Sequence, residues 1–196
     1  MAVIPLPKTI RFASSIAWQL DRPAQINVSG YTGRRQVVAN PWHGKWRAKV
    51  ELAPIVGENN VLAWRAFLAA LRGQINTFRL PMAEGPQNNN SGVTVESGHA
   101  AGTNTIILAN LSTALEPGQF VQIGDLSLCL TSVGAWVAGG RQAITFEPPM
   151  RLPVVAGMPA ETANPACHVA LASSSTGWSV DKGKVYGISL EVEEAY

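Results

Sequence analysis

Residues 45–52 read KWRAKVEL, and the alternation of apolar and charged side chains in them is the strongest structural signal in the chain. Trp46, Ala48, Val50 and Leu52 occupy every second position, with lysine, arginine and glutamate between them. Successive side chains of a strand point to opposite faces of a sheet, so a period of two predicts a half-buried strand. The pattern therefore indicates a β-sheet protein with Trp46 in its core.

The segment before this strand predicts a turn and a cationic surface. Residues 40–44, NPWHG, favour a chain reversal, and the strand-like residues 36–39 precede them, so we expect a hairpin of 36–39 with 45–52. Nucleic-acid contact would need aromatic side chains beside the cations, whereas the alternation puts Trp46 on the opposite face. A plain turn or a protein interface is favoured instead. The candidate oligomer or partner interface consists of Arg34, Arg35, Trp42, His43, Lys45 and Arg47.

Residues 57–74, GENNVLAWRAFLAALRGQ, predict an amphipathic helix. The spacing of Val61, Trp64, Leu68 and Leu71 makes one apolar stripe, which Leu62, Ala69 and Ala70 would widen. Asn59 or Asn60 is expected to cap its start, and Gly73 to end it in a left-handed conformation. We expect the stripe to pack against the sheet that contains Trp46, because both elements must bury an apolar face.

The second half of the chain predicts a separate, all-β region. Residues 83–92, AEGPQNNNSG, form a cluster that ends regular structure, and short strand-like runs with glycine turns follow it, including a tight hairpin at Gly124 and Asp125. At the end of the chain Tyr186, Ile188, Leu190 and Val192 alternate with small or charged residues. We expect residues 185–194 to add a strand to the sheet formed by the first 82 residues, with Glu191 and Glu193 facing the cations of residues 45–49.

The composition favours a folded protein with extensive protein contacts. The 196 residues are 46% hydrophobic and 14% charged, with a formal net charge of +2, which is too small to imply a dedicated nucleic-acid or membrane-surface partner. A chain of this length forms one large domain or two small ones. Cys129 and Cys167 are expected to be buried free thiols, with a disulfide as the alternative.

The motifs needed for catalysis or metal binding are absent from the sequence. His43, His99 and His168 lie in separate segments without metal-ligand spacing, and no nucleophile elbow or phosphate-binding loop occurs. Glu191 and Glu193 are interpreted as a solvated strand face rather than a catalytic pair. We therefore predict no catalytic, cofactor-binding or metal-binding residues, and no enzymatic activity.

The order of these elements resembles the distal tail protein family of long-tailed bacteriophages. The resemblance runs from GYTGRRQVV through KWRAKVELAPI, FLAALRG and NTFRLP to LEPGQFVQIGDLSLCL, EPPMRLPVVAG and the final SLEVEEAY. It implies a mainly β (α+β) protein in which a tail-tube-like β-sandwich with one flanking helix carries an inserted small β-barrel or sandwich. The ring domain would comprise residues 1–85 and 177–196, and the insertion residues 92–175.

The resemblance also implies a function, a location and a set of partners. Members form a homo-oligomeric ring, usually a hexamer, that joins the tail tube protein to the baseplate or tip hub proteins at the virion tail tip. The chain would be made in the host cytoplasm, would contact phage DNA only in transit, and would need neither cofactor nor membrane. The alternative function is a carbohydrate-binding tail module, for which Trp136 and Phe120 are the candidate aromatic residues.

Overall fold

The computed structural model describes residues 1–7, 15–39, 44–137 and 139–195, and these form a mainly β protein. They contain one α-helix, α1 (Glu58–Leu71). The strands, in chain order, are β1 (Ser15–Asp21), β2 (Ala24–Val28), β3 (Arg35–Ala39), β4 (Lys45–Glu51), β5 (Ile55–Val56), β6 (Thr77–Pro81), β7 (Thr94–Val95), β8 (Thr105–Ala109), β9 (Phe120–Ile123), β10 (Leu126–Val133), β11 (Gln142–Glu147), β12 (Ala160–Glu161), β13 (Ala166–Leu171), β14 (Ser179–Asp181), β15 (Val185–Gly187) and β16 (Ser189–Glu194). The predicted fold class, a β-rich protein with one helix, is confirmed.

The chain divides into two compact units. The sheet unit comprises Met1–Gln19, Trp46–Leu80 and Cys167–Tyr196, and the barrel unit comprises Leu20–Lys45 and Pro81–Ala166. The sheet unit contains a five-stranded sheet in the order β1-β4-β16-β13-β6 and a three-stranded sheet in the order β14-β15-β5. The barrel unit contains a six-stranded sheet in the order β12-β9-β10-β11-β8-β7 and the separate pair β2-β3.

The terminal strand β16 joins the sheet that contains β4, as predicted, and it lies at the centre of that five-stranded sheet. Strand β16 pairs antiparallel with β4 on one side and with β13 on the other. Leu190 lies opposite Val50, and both side chains are at most 4% exposed. On the outward face Glu191 lies opposite Lys49 and Glu193 opposite Arg47, which is the expected pairing of acidic and basic residues. The prediction that residues 185–194 form one strand in this sheet is therefore confirmed for residues 189–194, whereas residues 185–187 form β15 in the three-stranded sheet, between β14 and β5.

Helix α1 buries the predicted stripe against this sheet. Val61, Trp64, Leu68 and Leu71 are each at most 1% exposed. Phe67 completes the buried face and packs edge-to-face against Phe78 of β6, with ring centroids 5.3 Å apart. Aromatic pairs favour this geometry because the positive edge of one ring meets the negative face of the other.

Two details of the helix prediction were wrong, and one was confirmed. Leu62 is 51% exposed and does not widen the stripe, because it lies on the solvent side of the helix. The cap is Gly57 with φ of 92°, and the side chain of Asn60 donates to the carbonyl of Val56 at 2.8 Å instead of accepting from the first turn. The predicted left-handed conformation of Gly73 is confirmed by its φ of 66°, and Arg72 before it is also left-handed, with φ of 50°.

The six-stranded sheet of the barrel unit is nearly closed. Its two outer strands meet at an isolated bridge between Thr94 and Pro159, and the amide of Ala160 donates to the carbonyl of Val93 at 2.9 Å. The core is apolar; its least exposed members, each at most 1% exposed, include Val121, Ile123, Leu128, Ile144 and Phe146. The hairpin predicted at Gly124 and Asp125 is confirmed, because Ile123 of β9 pairs directly with Leu126 of β10.

Polar side chains of residues 83–92 hold the barrel loops together, although the sequence indicated only a break. Gln87 accepts from the amide of Phe120 at 2.9 Å and donates to its carbonyl at 2.9 Å. Asn90 is 6% exposed, and its Oδ1 accepts from the amides of Ser112 at 2.9 Å and Thr113 at 2.7 Å. The cluster is therefore part of the barrel and more than a linker.

The hairpin predicted between residues 36–39 and 45–52 was wrong. Strand β3 pairs with β2, whereas β4 pairs with β16 and lies beside β1. The turn that joins β2 to β3 is stabilised locally, since the amide of Gly33 donates to the carbonyl of Ser29 at 2.8 Å. Strand β2, which precedes β3 in the chain, is therefore the partner of β3 in place of β4.

The division of the chain also differs from the predicted domains, 1–85 with 177–196 and an insertion of 92–175. Strand β13 was assigned to the insertion, but it pairs with β16 in the five-stranded sheet through Val169, Ala170 and Leu171. Residues 20–45 belong to the barrel unit by their contacts. Both differences arise because strand partners are distant in sequence, and hydrophobic alternation does not identify them.

Candidate functional site

The structure describes four of the six predicted interface residues and places them on two different elements. Arg34 and Arg35 lie at the turn of the β2–β3 hairpin, and both are exposed. Lys45 and Arg47 lie on β4 in the five-stranded sheet, where Arg47 Nε is 4.0 Å from a carboxylate oxygen of Glu193. Trp42 and His43 lie outside the described residues. The arginines of the hairpin and the cations of β4 therefore do not lie on paired strands.

The β2–β3 hairpin exposes both of its faces. Every residue of β2 is exposed, as are residues 35–38 of β3, and Tyr31 in the turn is 100% exposed. An isolated two-stranded hairpin is at best marginally stable in water, because one pair of strands buries little apolar surface. The sequence pointed to this segment only through its arginines, since the strand-like character of residues 24–28 was not recognised.

One face of this hairpin carries a row of apolar side chains. Ile26 lies directly opposite Val37, and Val28 lies opposite Arg35 on the same face. Their exposed fractions are 51% for Ile26, 50% for Val37 and 63% for Val28. The opposite face places Asn27 against Gln36 and is more polar. We call Ile26, Val28 and Val37 the hairpin row.

Both ends of the hairpin are attached to the same part of the barrel unit. Arg22, two residues before β2, forms an ion pair with Glu147 of β11. Beyond β3, the carbonyl of Gly44 accepts a hydrogen bond from the side chain of Arg151. A Cβ atom at Gly44 would lie 2.9 Å from Cβ of Pro148, so glycine is required for this close approach.

A second group of side chains in the sheet unit fixes an exposed tryptophan. The guanidinium of Arg65 lies 5.2 Å from the ring centroid of Trp178 and 5.0 Å from that of Tyr186. Arg65 also forms an ion pair with Glu58, and the hydroxyl of Tyr186 donates to the other carboxylate oxygen of Glu58. We call Glu58, Arg65, Trp178 and Tyr186 the aromatic clamp. It joins the first two turns of α1, strand β15 and the segment before β14.

The aromatic clamp shifts two pKa values in opposite directions. The hydrogen bond from Tyr186, followed by that from Arg65, lowers the pKa of the Glu58 carboxyl below its usual value. The same hydrogen bond to Glu58 raises the pKa of the Tyr186 hydroxyl. Each shift follows from the preference of the pair for a charged carboxylate and a protonated phenol.

Trp178 borders an open cleft in the sheet unit. The cleft has a volume of about 580 Å³, and its lining includes Glu51, Leu52, Trp178, Ser179, Ile188 and Ser189. Trp178 is 44% exposed, and the guanidinium of Arg65 lies over its ring. Glu51 is paired with Lys49, with 2.9 Å between Oε1 and Nζ. A lone tryptophan within the polar residues 173–184 was the sequence signal for this site, and it was missed.

The two aromatic residues predicted for carbohydrate binding are not part of this cleft. Phe120 belongs to β9, and it is half-buried. Trp136, in the connection between β10 and β11, is 49% exposed. Neither residue lines the cleft beside Trp178.

The histidines and cysteines do not gather into a reactive group within the described residues. His168 Nε2 is 2.6 Å from the hydroxyl of Thr77, and His99 Nε2 is 3.1 Å from that of Ser97. Both cysteines are free thiols, and burial raises the pKa of Cys129. Among the described residues, no cluster of three or more histidine, cysteine or carboxylate side chains could hold a metal ion. None of the described helices is long and apolar enough to cross a membrane.

The sequence matches no protein-family model and no curated protein.

Proposed function

We propose that the chain is a virion structural protein that assembles with copies of itself into a ring at the distal end of a phage tail. The ring would connect the tail tube to the baseplate or tip proteins and let the genome pass through its lumen. The observation that carries this proposal is the exposed hairpin row on a two-stranded hairpin. The role is structural and requires no catalytic group.

The energetic argument for self-assembly begins with the hairpin row. Each of its three aliphatic side chains is about half exposed or more. Full burial of such a side chain contributes about 1.5–3 kcal/mol, so covering the remaining half of all three would contribute about 2–4 kcal/mol. This is comparable with the contribution of a few interface residues, and it would add to backbone pairing at the open edges of β2 and β3.

A closed ring requires a head-to-tail contact between successive copies. The hairpin row and the two exposed arginines beside it form a surface that would meet a different surface on the next copy. Such heterologous contacts generate a closed ring when the rotation between copies closes. The low charge of the chain, 14% of residues, also favours assembly over a solvated monomer.

A charge placed in the hairpin row tests the proposal. In Val37→Glu, the carboxylate would be buried in the contact, whereas Gln36→Glu places the same charge on the opposite face and serves as the matched control. We expect light scattering coupled to gel filtration to give a multimer for the unaltered protein and Gln36→Glu, and a monomer for Val37→Glu. Circular dichroism should be the same for all three.

Electron microscopy and virion labelling test the ring and its location. Negatively stained particles of the unaltered protein should have a central hole, and antibody against the protein should label phage particles at the tail tip. A protein that remains monomeric at high micromolar concentration, or a multimer that Val37→Glu leaves intact, would contradict the proposal.

A further inference from the structure

We infer that the cleft beside Trp178 binds an uncharged saccharide. The inference rests on an exposed aromatic ring held in a fixed position, on hydroxyl and carboxylate groups beside it, and on the balance of charge in the cleft. It uses none of the residues of the hairpin, so it stands independently of ring assembly.

The aromatic clamp gives Trp178 the properties of a stacking platform. A tryptophan side chain in a connecting segment is ordinarily mobile or collapses onto the nearest apolar surface. Here Arg65 holds the ring, and Arg65 is itself held by the ion pair with Glu58 and by stacking on Tyr186. A ligand that stacks on Trp178 therefore does not have to immobilise the ring, which lowers the entropic cost of binding.

The other lining groups match a ligand with both an apolar face and hydroxyl groups. Ser179 and Ser189 provide hydroxyls, and Glu51 provides a carboxylate acceptor. Leu52 and Ile188 add apolar surface. A Cβ atom at Gly187 would lie 2.8 Å from Oγ of Ser179, so glycine keeps this side of the cleft open. A pyranose ring presents C–H groups on one face and hydroxyls at its rim, which fits this mixture of surfaces.

The charges around the cleft favour a neutral ligand. Glu51 is paired with Lys49 at 2.9 Å, and Arg65 is paired with Glu58. A charged ligand would have to compete with these ion pairs and would lose hydration without gaining a free counter-charge. Nucleic acid would bring phosphates that need unpaired cations beside the stacking ring. A saccharide requires neither, and the volume of about 580 Å³ falls within the usual range of small-ligand sites.

Saturation-transfer NMR on the full chain tests the inference with defined probes. The neutral probes are maltotriose, cellotriose and triacetylchitotriose, and the charged probe is trigalacturonic acid. We expect at least one neutral trisaccharide to bind with a dissociation constant of about 10 mM or tighter, and with its ring C–H protons closest to the protein. Trigalacturonic acid should bind at least tenfold more weakly.

Variants of the two half-exposed tryptophans assign the binding to the cleft. Trp178→Ala should weaken binding of the active trisaccharide by at least tenfold, and Trp178→Phe should restore part of it. Trp136→Ala removes an equally exposed indole and should leave binding unchanged. Because Trp178 is 44% exposed, these variants are expected to fold, which thermal unfolding will check. The inference is overturned if no neutral trisaccharide binds, if the charged probe binds as tightly, or if Trp178→Ala binds like the unaltered protein.

Discussion

Removing the side-chain amide of Asn90 should destabilise the barrel unit more than any neighbouring asparagine substitution. Its Oδ1 accepts from the amides of Ser112 and Thr113 and from both of their hydroxyls, at distances of 2.7–3.1 Å. Its Nδ2 donates to the carbonyl of Thr113 at 3.1 Å. One side chain thus bonds five polar groups of Ser112 and Thr113 in the loop that follows β8.

The magnitude follows from the groups that Asn90→Ala would leave unpaired. The hydroxyls of Ser112 and Thr113 can rotate toward water, but their amides are fixed by the backbone. An unsatisfied buried donor costs about 1–3 kcal/mol, and these two are partly buried, so we expect a loss of about 2–4 kcal/mol. At about 2–4 °C per kcal/mol for a chain of this size, the melting temperature should fall by roughly 5–15 °C.

Two control variants separate this argument from a general effect of the loop. Asn89→Ala changes the exposed neighbour and should lower the melting temperature by less than about 2 °C, since surface substitutions usually cost under 0.5 kcal/mol. Asn90→Asp keeps an acceptor for all four donors and loses only the donation to Thr113, so it should recover most of the stability at neutral pH. The reasoning is refuted if scanning calorimetry gives equal losses for Asn90→Ala and Asn89→Ala.

Three further predictions concern the sheet unit. Trp64→Ala should lower the free energy of unfolding by urea by about 3–5 kcal/mol. Trp64→Phe should cost much less, because no described residue forms a hydrogen bond with the buried indole Nε1, and equal losses for the two variants would contradict this. Tyr186→Phe should raise the pKa of Glu58 in an NMR titration, because it removes the hydrogen bond that lowers this pKa. Since the folded-state pKa of Glu58 is lowered, its contribution to stability is present above the unfolded-state pKa and is lost as the pH falls through the folded-state pKa. An unchanged pKa of Glu58 in the variant would refute the role of the Tyr186 hydrogen bond. Truncation after Lys184 should unfold the sheet unit, as measured by circular dichroism, because it removes the central strand β16. Glu191→Ala removes only one charge opposite Lys49 and should change the free energy of unfolding by less than about 1 kcal/mol.

Local periodicity was sufficient to predict the elements whose faces are set by their own sequence. The alternation in residues 45–52 and 185–194 predicted which side chains of β4 and β16 are buried, and the spacing of Val61, Trp64, Leu68 and Leu71 predicted the buried stripe of α1. A strand or helix places its side chains at fixed angles, so burial on one face leaves a direct record in the sequence.

Only the tertiary structure decided the strand partners and the two candidate sites. Backbone hydrogen bonds form between any two strands, so the sequence did not exclude pairing of β3 with β4. In the structure a turn that begins at Ser29 joins β2 to β3, and these two strands pair instead. The aromatic clamp likewise brings together Glu58 and Tyr186, which are 128 positions apart. Contacts over such separations depend on how the apolar faces pack together, and hydrophobic alternation within each element carries no information about which faces will meet.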